Sequence, residues 1–163
     1  QNVKAKMTPY EFWDYAVDFK KREGLETASI DSWKDLYHDT TKFARDDKYL
    51  EDVLSYRNHI AENNDLHLHT IIHPKLTEKE NGIRKPPSPY DLKGGSEWAN
   101  NGKNMITIHR EDIMNNAVDV YFNKIKPRSN GNVGRIQMYF DVEKFVYYDE
   151  MGIHQTKEYA KKL

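Results

Sequence analysis

The chain contains no cysteine, which excludes disulfides, thiolate metal sites and cysteine nucleophiles and fits a reducing compartment. Cytoplasm is therefore the expected location. No apolar run approaches the ~20 residues that span a bilayer, and Gln1 to Lys6 does not read as a signal peptide, so no membrane partner is expected. Neither sign of charge is in excess: 25 Lys and Arg against 26 Asp and Glu leave a net charge of −1. With no overall field to draw the protein onto nucleic acid, any such contact has to be local. Internal repeats and low-complexity tracts are also missing. What is present, 163 residues with 37% hydrophobic and 12% aromatic content, suffices for one ordinary core, so residues 1–163 are expected to form a single domain.

Local signals divide the chain into two styles. Thr8-Pro9-Tyr10-Glu11 combines a capping hydroxyl, a proline at the first helical position and a glutamate that can reach back. Phe12, Tyr15, Ala16 and Phe19 follow at helical spacing, which predicts a helix to about Arg22 with Gly24 as its stop. Residues 25–30 read as a short buried strand delivering Asp31 and Ser32 at its C-terminal end, a site position in α/β sheets. A second helix is predicted from near Asp46 to about Asn63-Asn64, presenting Leu50, Val53, Leu54, Ile60 and Ala61 to the core. Residues 66–72 then form a strand that ends in His73-Pro74. Strand, helix and strand in that order imply a right-handed crossover and parallel pairing. From 75 to 103 the pattern dissolves, with Pro86-Pro87-Ser88-Pro89 and Gly94-Gly95 as breakers, and so long a stretch is expected to be a mobile functional segment. Beyond it, residues 105–109, 118–125, 135–140 and 145–148 alternate as strands of antiparallel hairpins. The fold class is thus α/β, parallel strands with a crossover helix followed by antiparallel hairpins.

Three places carry candidate chemistry. Asp31, at the end of an apolar strand, can hold the water shell of a Mg²⁺ bound to nucleotide phosphates; alone, it is equally a helix cap or turn former. His73 closes the neighbouring strand and emerges on the same edge, where an imidazole can hydrogen-bond a γ-phosphate; its alternative is a structural histidine before proline. Lys126-Pro127-Arg128-Ser129-Asn130-Gly131-Asn132-Val133-Gly134 places two cations two apart, pointing the same way if the segment is extended, before the glycines turn the chain back. Such a pair suits a γ-phosphate on a neighbouring subunit, against the alternative of a solvated hairpin tip. His67, His69 and His73 also invite a metal reading, although no carboxylate accompanies them at ligand spacing. In the 75–103 segment Lys75, Lys79, Arg84, Lys85, Lys93 and Lys103 face Glu78, Glu80, Asp91 and Glu97. The excess is two positive charges, and these lysines with the Gly94-Gly95 amides can track a phosphate backbone.

Taken in order, these places resemble the later motifs of the DnaB-like family of hexameric replicative helicases, which includes phage primase-helicases and Twinkle-like helicases. Ala28-Ser29-Ile30-Asp31-Ser32-Trp33 resembles the family's Walker B strand, with Ser32 where Twinkle-like members have proline. Ile71-Ile72-His73-Pro74-Lys75 resembles the strand whose histidine or glutamine senses the γ-phosphate. Pro87-Ser88-Pro89-Tyr90-Asp91-Leu92-Lys93-Gly94-Gly95-Ser96 is similar to the DNA-loop segment, and Ile106-Thr107-Ile108-His109-Arg110 to the strand ending in an arginine near the nucleotide base. Residues 126–134 are similar to the Lys-x-Arg hairpin, which puts Arg128 on the arginine finger and Lys126 on its companion; aligning Lys124 and Lys126 instead leaves the finger a lysine. The likeness spans roughly residues 25–148.

The resemblance implies the C-terminal part of a RecA-like ATPase domain, with residues 152–163 as a tail. Asp31 and Ser32 would contact ATP or another NTP with its Mg²⁺, Arg110 the base, and Lys75, Lys79, Arg84, Lys85, Lys93 and Gly94 single-stranded DNA, in a ring hexamer of identical subunits. The sequence holds no Gly-x-x-x-x-Gly-Lys-Ser/Thr, and Glu11, Glu23 and Glu26 lie too near Asp31 to be the family's catalytic glutamate. This chain is therefore expected neither to hydrolyse ATP alone nor to hold a cofactor tightly. Two other readings fit the residues: a non-catalytic RecA-like module for DNA binding or assembly, and a histidine-metal hydrolase.

Overall fold

In a computed structural model of the chain, which describes residues 6–80, 83–111 and 114–149, the first helix begins with the cap its sequence predicts. Helix α1 (Pro9–Glu23) carries a reciprocal capping box between Thr8 and Glu11, and Gly24 closes it in the left-handed conformation, φ 74°, donating to the Lys20 carbonyl. Its buried face differs from the expected one. Pro9, Trp13, Ala16 and Val17 are inside, whereas Tyr15 is 52% exposed and Phe19 is exposed too. An aromatic-rich helix offers more than one apolar stripe, and packing against the strands and the second helix selects between them.

Strand β1 (Thr27–Ile30), a 3-10 turn over Trp33–Asp35, helix α2 (Asp46–Asn63) and strand β2 (His67–Thr70) follow. β1 and β2 pair in parallel with Ala28 opposite Leu68 and Ile30 opposite Thr70, as the strand-helix-strand order requires. Both strands are shorter than predicted and only half buried. Ala28, Ile30, Leu68 and Thr70 turn away from solvent while Thr27, Ser29, His67 and His69 are exposed, the alternation of a sheet covered on one face. The covered face packs on Ala16, Val17, Leu66 and Ile60. On α2, Leu50, Val53 and Leu54 are buried as predicted, and Tyr49 and Arg57 join them.

Residues 75–103 hold more order than the sequence suggests. Strands β3 (Lys79–Glu80) and β4 (Ile83–Arg84) form a small antiparallel hairpin, Pro89–Asp91 make a 3-10 turn, and Gly95–Asn101 form helix α3. Four antiparallel strands follow among the described residues, β5 (Met105–His109), β6 (Ala117–Lys124), β7 (Gly134–Asp141) and β8 (Val146–Tyr148), in the order β5-β6-β7-β8. Phe145, expected to open the last strand, instead has φ 54° and belongs to the preceding turn. Opposed residues in this sheet share a face, so Ile106 with Phe122, Ile108 with Val120 and Ile136 with Val120 make one face apolar. The other face carries a polar network in which Arg135 and Gln137 both donate to Asp119.

Backbone contacts divide the chain into two compact units, Gln1–Pro74 with Leu92–Asn101, and Lys75–Asp91 with Gly102–Leu163. The first contains α1, α2, α3 and the parallel pair; the second contains the β3-β4 hairpin and the four-stranded sheet. No described helix is long and apolar enough to cross a membrane. The expected tail, residues 152–163, lies outside the described residues.

Candidate functional site

The parallel pair delivers Asp31 and His73 to one rim. Parallel strands run the same way, so whatever follows Ile30 and whatever follows Thr70 leave the sheet at the same edge. Ile71 extends the pairing with both of its backbone groups: its N–H donates to the Ile30 carbonyl at 2.9 Å and its carbonyl accepts from the Trp33 N–H at 2.9 Å. Those two bonds bracket Asp31. Its side chain is exposed, and it makes no hydrogen bond or ion pair among the described residues. His73, two residues beyond Ile71, is also exposed. His67 and His69 stay on the sheet's open face with ring centroids 4.3 Å apart; burial and the neighbouring His67 hold His69 below the ordinary imidazole value. β2 ends before His73, and no group of three His, Cys, Asp or Glu that could hold a metal occurs among the described residues.

Ser32 is 4% exposed, and its hydroxyl donates to the Asp35 carboxylate at 2.6 Å. That bond and the one from the Ser32 N–H hold Asp35 below the usual carboxylate range. The hydroxyl is thus committed to its own turn. Trp33 anchors the same turn in an aromatic cluster, stacked near Trp13 with centroids 6.2 Å apart and meeting the edge of Trp98 at 5.1 Å. As a donor set for a metal, the rim offers the exposed Asp31 carboxylate, because the neighbouring Asp35 is engaged by Ser32. A lone hard oxygen fits Mg²⁺, which keeps several waters and takes substrate phosphates, and fits no ion that needs a protein cage.

The expected DNA-contacting residues are divided between the two units. Lys75, Lys79, Arg84 and Lys85 belong to the second, and Lys93 and Gly94 to the first. In the hairpin Lys79 lies directly opposite Arg84, which puts two cations on one face; the Arg84 guanidinium also donates to the Thr77 carbonyl at 2.7 Å. Lys93 pairs with Asp46 at 3.0 Å, both well exposed. Gly94 has φ 73°, and a Cβ there would lie 2.4 Å from Leu50 Cδ2. Its carbonyl accepts from the N–H groups of Glu97 and Trp98 at the start of α3. The glycine is therefore required by the approach of this turn to α2 whether or not its amide meets a ligand.

In the second unit the residues of the expected finger are exposed from Lys126 to Asn130. The extended path predicted for Lys126 and Arg128 ends at Pro127, because Arg128–Asn130 form a 3-10 turn closed by bonds to the Pro127 and Arg128 carbonyls. Neither charged head makes a hydrogen bond or ion pair among the described residues. Burial, then the nearby Lys126 and Lys103 charges, lower Lys124 from its ordinary value, so the base of the hairpin is a region of crowded positive charge. Arg110 follows β5, and its Nε donates to the Asn115 carbonyl at 3.0 Å. The adjacent Asn116 lines an open cavity of about 540 Å³ whose other walls include Tyr139, Phe140, Asp141 and Tyr148.

No family model matches the chain. Among characterised proteins it is similar to the Twinkle homolog protein, chloroplastic/mitochondrial, of Arabidopsis thaliana, with 24% identity over 124 residues. Those residues are 74% of this chain and 17% of that relative. The similarity supports a helicase-related chain and no finer statement.

Sequence reasoning missed several residues that shape these sites. Trp98 is 3% exposed and ties α3 to the rim's aromatic cluster; its signal was an aromatic among Gly, Asn and Ser in a segment read as irregular. His38 stands beside Trp33 and Tyr49 beside His38, and they left no pattern, since their meeting depends on how the chain between the 3-10 turn and α2 is folded back. The cavity walls come from strands β7 and β8, the turn between them and the turn before β6, and no linear motif joins them.

Proposed function

We propose that this chain is part of a ring helicase in which NTP hydrolysis at subunit interfaces drives movement along single-stranded DNA. The observation that carries the reading is the rim, where an exposed Asp31 and His73 leave adjacent parallel strands with Ile71 hydrogen-bonded on both sides of Asp31. The similarity to the Twinkle homolog protein supports it. The chain spans 17% of that relative's length, so the phosphate-cradling loop is sought elsewhere in the complete protein.

On this reading Asp31 orients the water shell of a nucleotide-bound Mg²⁺, and His73 reads the γ-phosphate from the next strand. Bound with the nucleotide, Mg²⁺ neutralises charge that develops on the transferred phosphoryl group. Arg128, on an exposed turn, reaches the nucleotide of a neighbouring subunit with Lys126 beside it. Arg110, its Nε tied to the Asn115 carbonyl, contacts the base. The β3-β4 hairpin, with Lys79 and Arg84 on one face, and Lys93 meet the DNA backbone.

Asp31→Asn in the complete protein tests the reading. The Mg²⁺ concentration for half-maximal NTP turnover should rise at least tenfold, while metal-free nucleotide binding changes little. Full turnover with an unchanged Mg²⁺ requirement refutes the assignment of Asp31; an unaltered complete protein that turns over no NTP and binds DNA without any nucleotide dependence favours a non-catalytic RecA-like module instead.

A further inference from the structure

We propose that His38 and Tyr49 are positioning residues for the Asp31 carboxylate, acting through the Trp33 backbone. The proposal rests on the metal role of Asp31 given above and names the side chains that make that role geometrically possible.

The hydrogen bonds define a directed chain. His38 Nε2 lies 2.8 Å from the Trp33 carbonyl oxygen. A carbonyl can only accept, so Nε2 carries the hydrogen. With the ring neutral, Nδ1 is then the acceptor, and the Tyr49 hydroxyl 2.8 Å away is its donor. The order is Tyr49 O–H to His38 Nδ1, then His38 Nε2–H to the Trp33 carbonyl. Tyr49 keeps its proton available, because burial and the nearby Asp39 push it up to about 12. Rings fix the same parts: His38 lies 4.7 Å from Trp33, and Tyr49 is flanked by His38 at 5.8 Å and Phe43 at 5.3 Å.

The chain matters for Asp31 because of where Trp33 sits. Its N–H is given to Ile71 and its carbonyl to His38, so both sides of its backbone are tied. On the other flank Ile30 accepts from Ile71, and between them Ser32 is held by Asp35. Asp31 is thus one residue on a short backbone span with fixed ends, and one of those ends is set by a side-chain relay from α2. A carboxylate that must meet a hydrated ion to within about 0.5 Å needs its backbone held in this way. Without His38 the Trp33 carbonyl keeps only the Leu36 N–H of its own turn, at 3.3 Å, and the span loses its tie to α2.

The test uses His38→Ala, His38→Gln and Tyr49→Phe in the complete protein, with Asp31→Asn as the reference. Tyr49→Phe removes one oxygen and keeps the ring, so it leaves the fold intact even if His38→Ala does not. Glutamine keeps a donor near the Nε2 position. Two quantities are measured: hydrogen exchange of peptides covering residues 31–38, and the Mg²⁺ midpoint of NTP turnover. His38→Ala and Tyr49→Phe should speed exchange in that segment and raise the Mg²⁺ midpoint about three- to tenfold, with the KM for NTP at saturating Mg²⁺ unchanged and His38→Gln restoring both. If Asp31→Asn shifts the midpoint and Tyr49→Phe does not, the relay is structural only and the proposal is overturned while the metal role stands. If Asp31→Asn leaves the midpoint alone, the metal role itself falls and the proposal with it.

Discussion

Replacing Gly94 with alanine separates a structural role from a ligand-binding one. At φ 73° an alanine enters the left-handed region, which costs about 1–2 kcal/mol for an L-residue. Its Cβ would also sit 2.4 Å from Leu50 Cδ2, well inside the ~3.5–4.0 Å at which carbon atoms rest in contact. Leu50 is buried, so it has to leave its rotamer or push α3 away from α2. Overpacking of that kind costs about 1–3 kcal/mol. The two effects together predict a loss of about 2–5 kcal/mol. Gly24→Ala supplies the control, because its φ of 74° is nearly the same and nothing lies within 4 Å of the added carbon; it should cost only the backbone share, about 1–2 kcal/mol. All three tryptophans, Trp13, Trp33 and Trp98, lie in the unit that contains both glycines, so urea unfolding followed by tryptophan fluorescence reads the relevant transition. In a Leu50→Ala background the extra cost of Gly94→Ala should vanish, leaving the same loss as at Gly24. Equal losses at Gly94 and Gly24 in the unaltered background, or no relief from Leu50→Ala, would refute the close-approach argument. Weakened DNA binding without destabilisation would then make Gly94 a ligand contact.

Three further outcomes are expected. Arg128→Ala in the complete protein should leave nucleotide binding intact and reduce turnover by about 10³-fold or more, as measured by steady-state NTPase assays; unchanged turnover removes Arg128 from the finger role. Lys93→Ala should shift stability by less than about 1 kcal/mol, since both partners of its ion pair with Asp46 are exposed, yet lower the salt slope of DNA affinity by about one; an unaltered slope assigns that contact elsewhere. Glu11 is held below its ordinary value of 4.5 by the Thr8 backbone N–H and then the Thr8 hydroxyl. A depressed folded-state value means that the capping contribution is complete above about 4.5 and is lost as pH falls through the lower folded value. Circular dichroism should therefore show α1 weakening in that acid window, and Glu11→Gln should flatten the change; an identical acid profile for the variant contradicts the cap.

Much of the architecture was legible because it is local. The α1 boundaries follow from Thr8, Pro9, Glu11 and Gly24, residues whose capping and turn preferences act on their immediate neighbours. The parallel pairing of β1 and β2 follows from strand-helix-strand order, and the antiparallel sheet from alternation in β5, β6 and β7. That order also predicts that the segments following β1 and β2 leave the sheet at one edge.

What the sequence by itself determined, then, is the kind and order of most elements, and the shared edge at which the segments following β1 and β2 leave the sheet, since both depend on short-range propensity and chain direction. Tertiary structure decided which stripe of α1 is buried, because Trp13 and Val17 meet neighbours that Tyr15 and Phe19 do not. It decided that Gly95–Asn101 is helical, a seven-residue segment too short to hold a helix by propensity and held instead by Trp98 and the approach of Gly94 to Leu50. It decided, too, that Ser32 turns inward to Asp35 and that His38 reaches Trp33 and Tyr49. Hydrogen bonds and packing of this kind join residues by position in space, and a linear pattern carries no record of them.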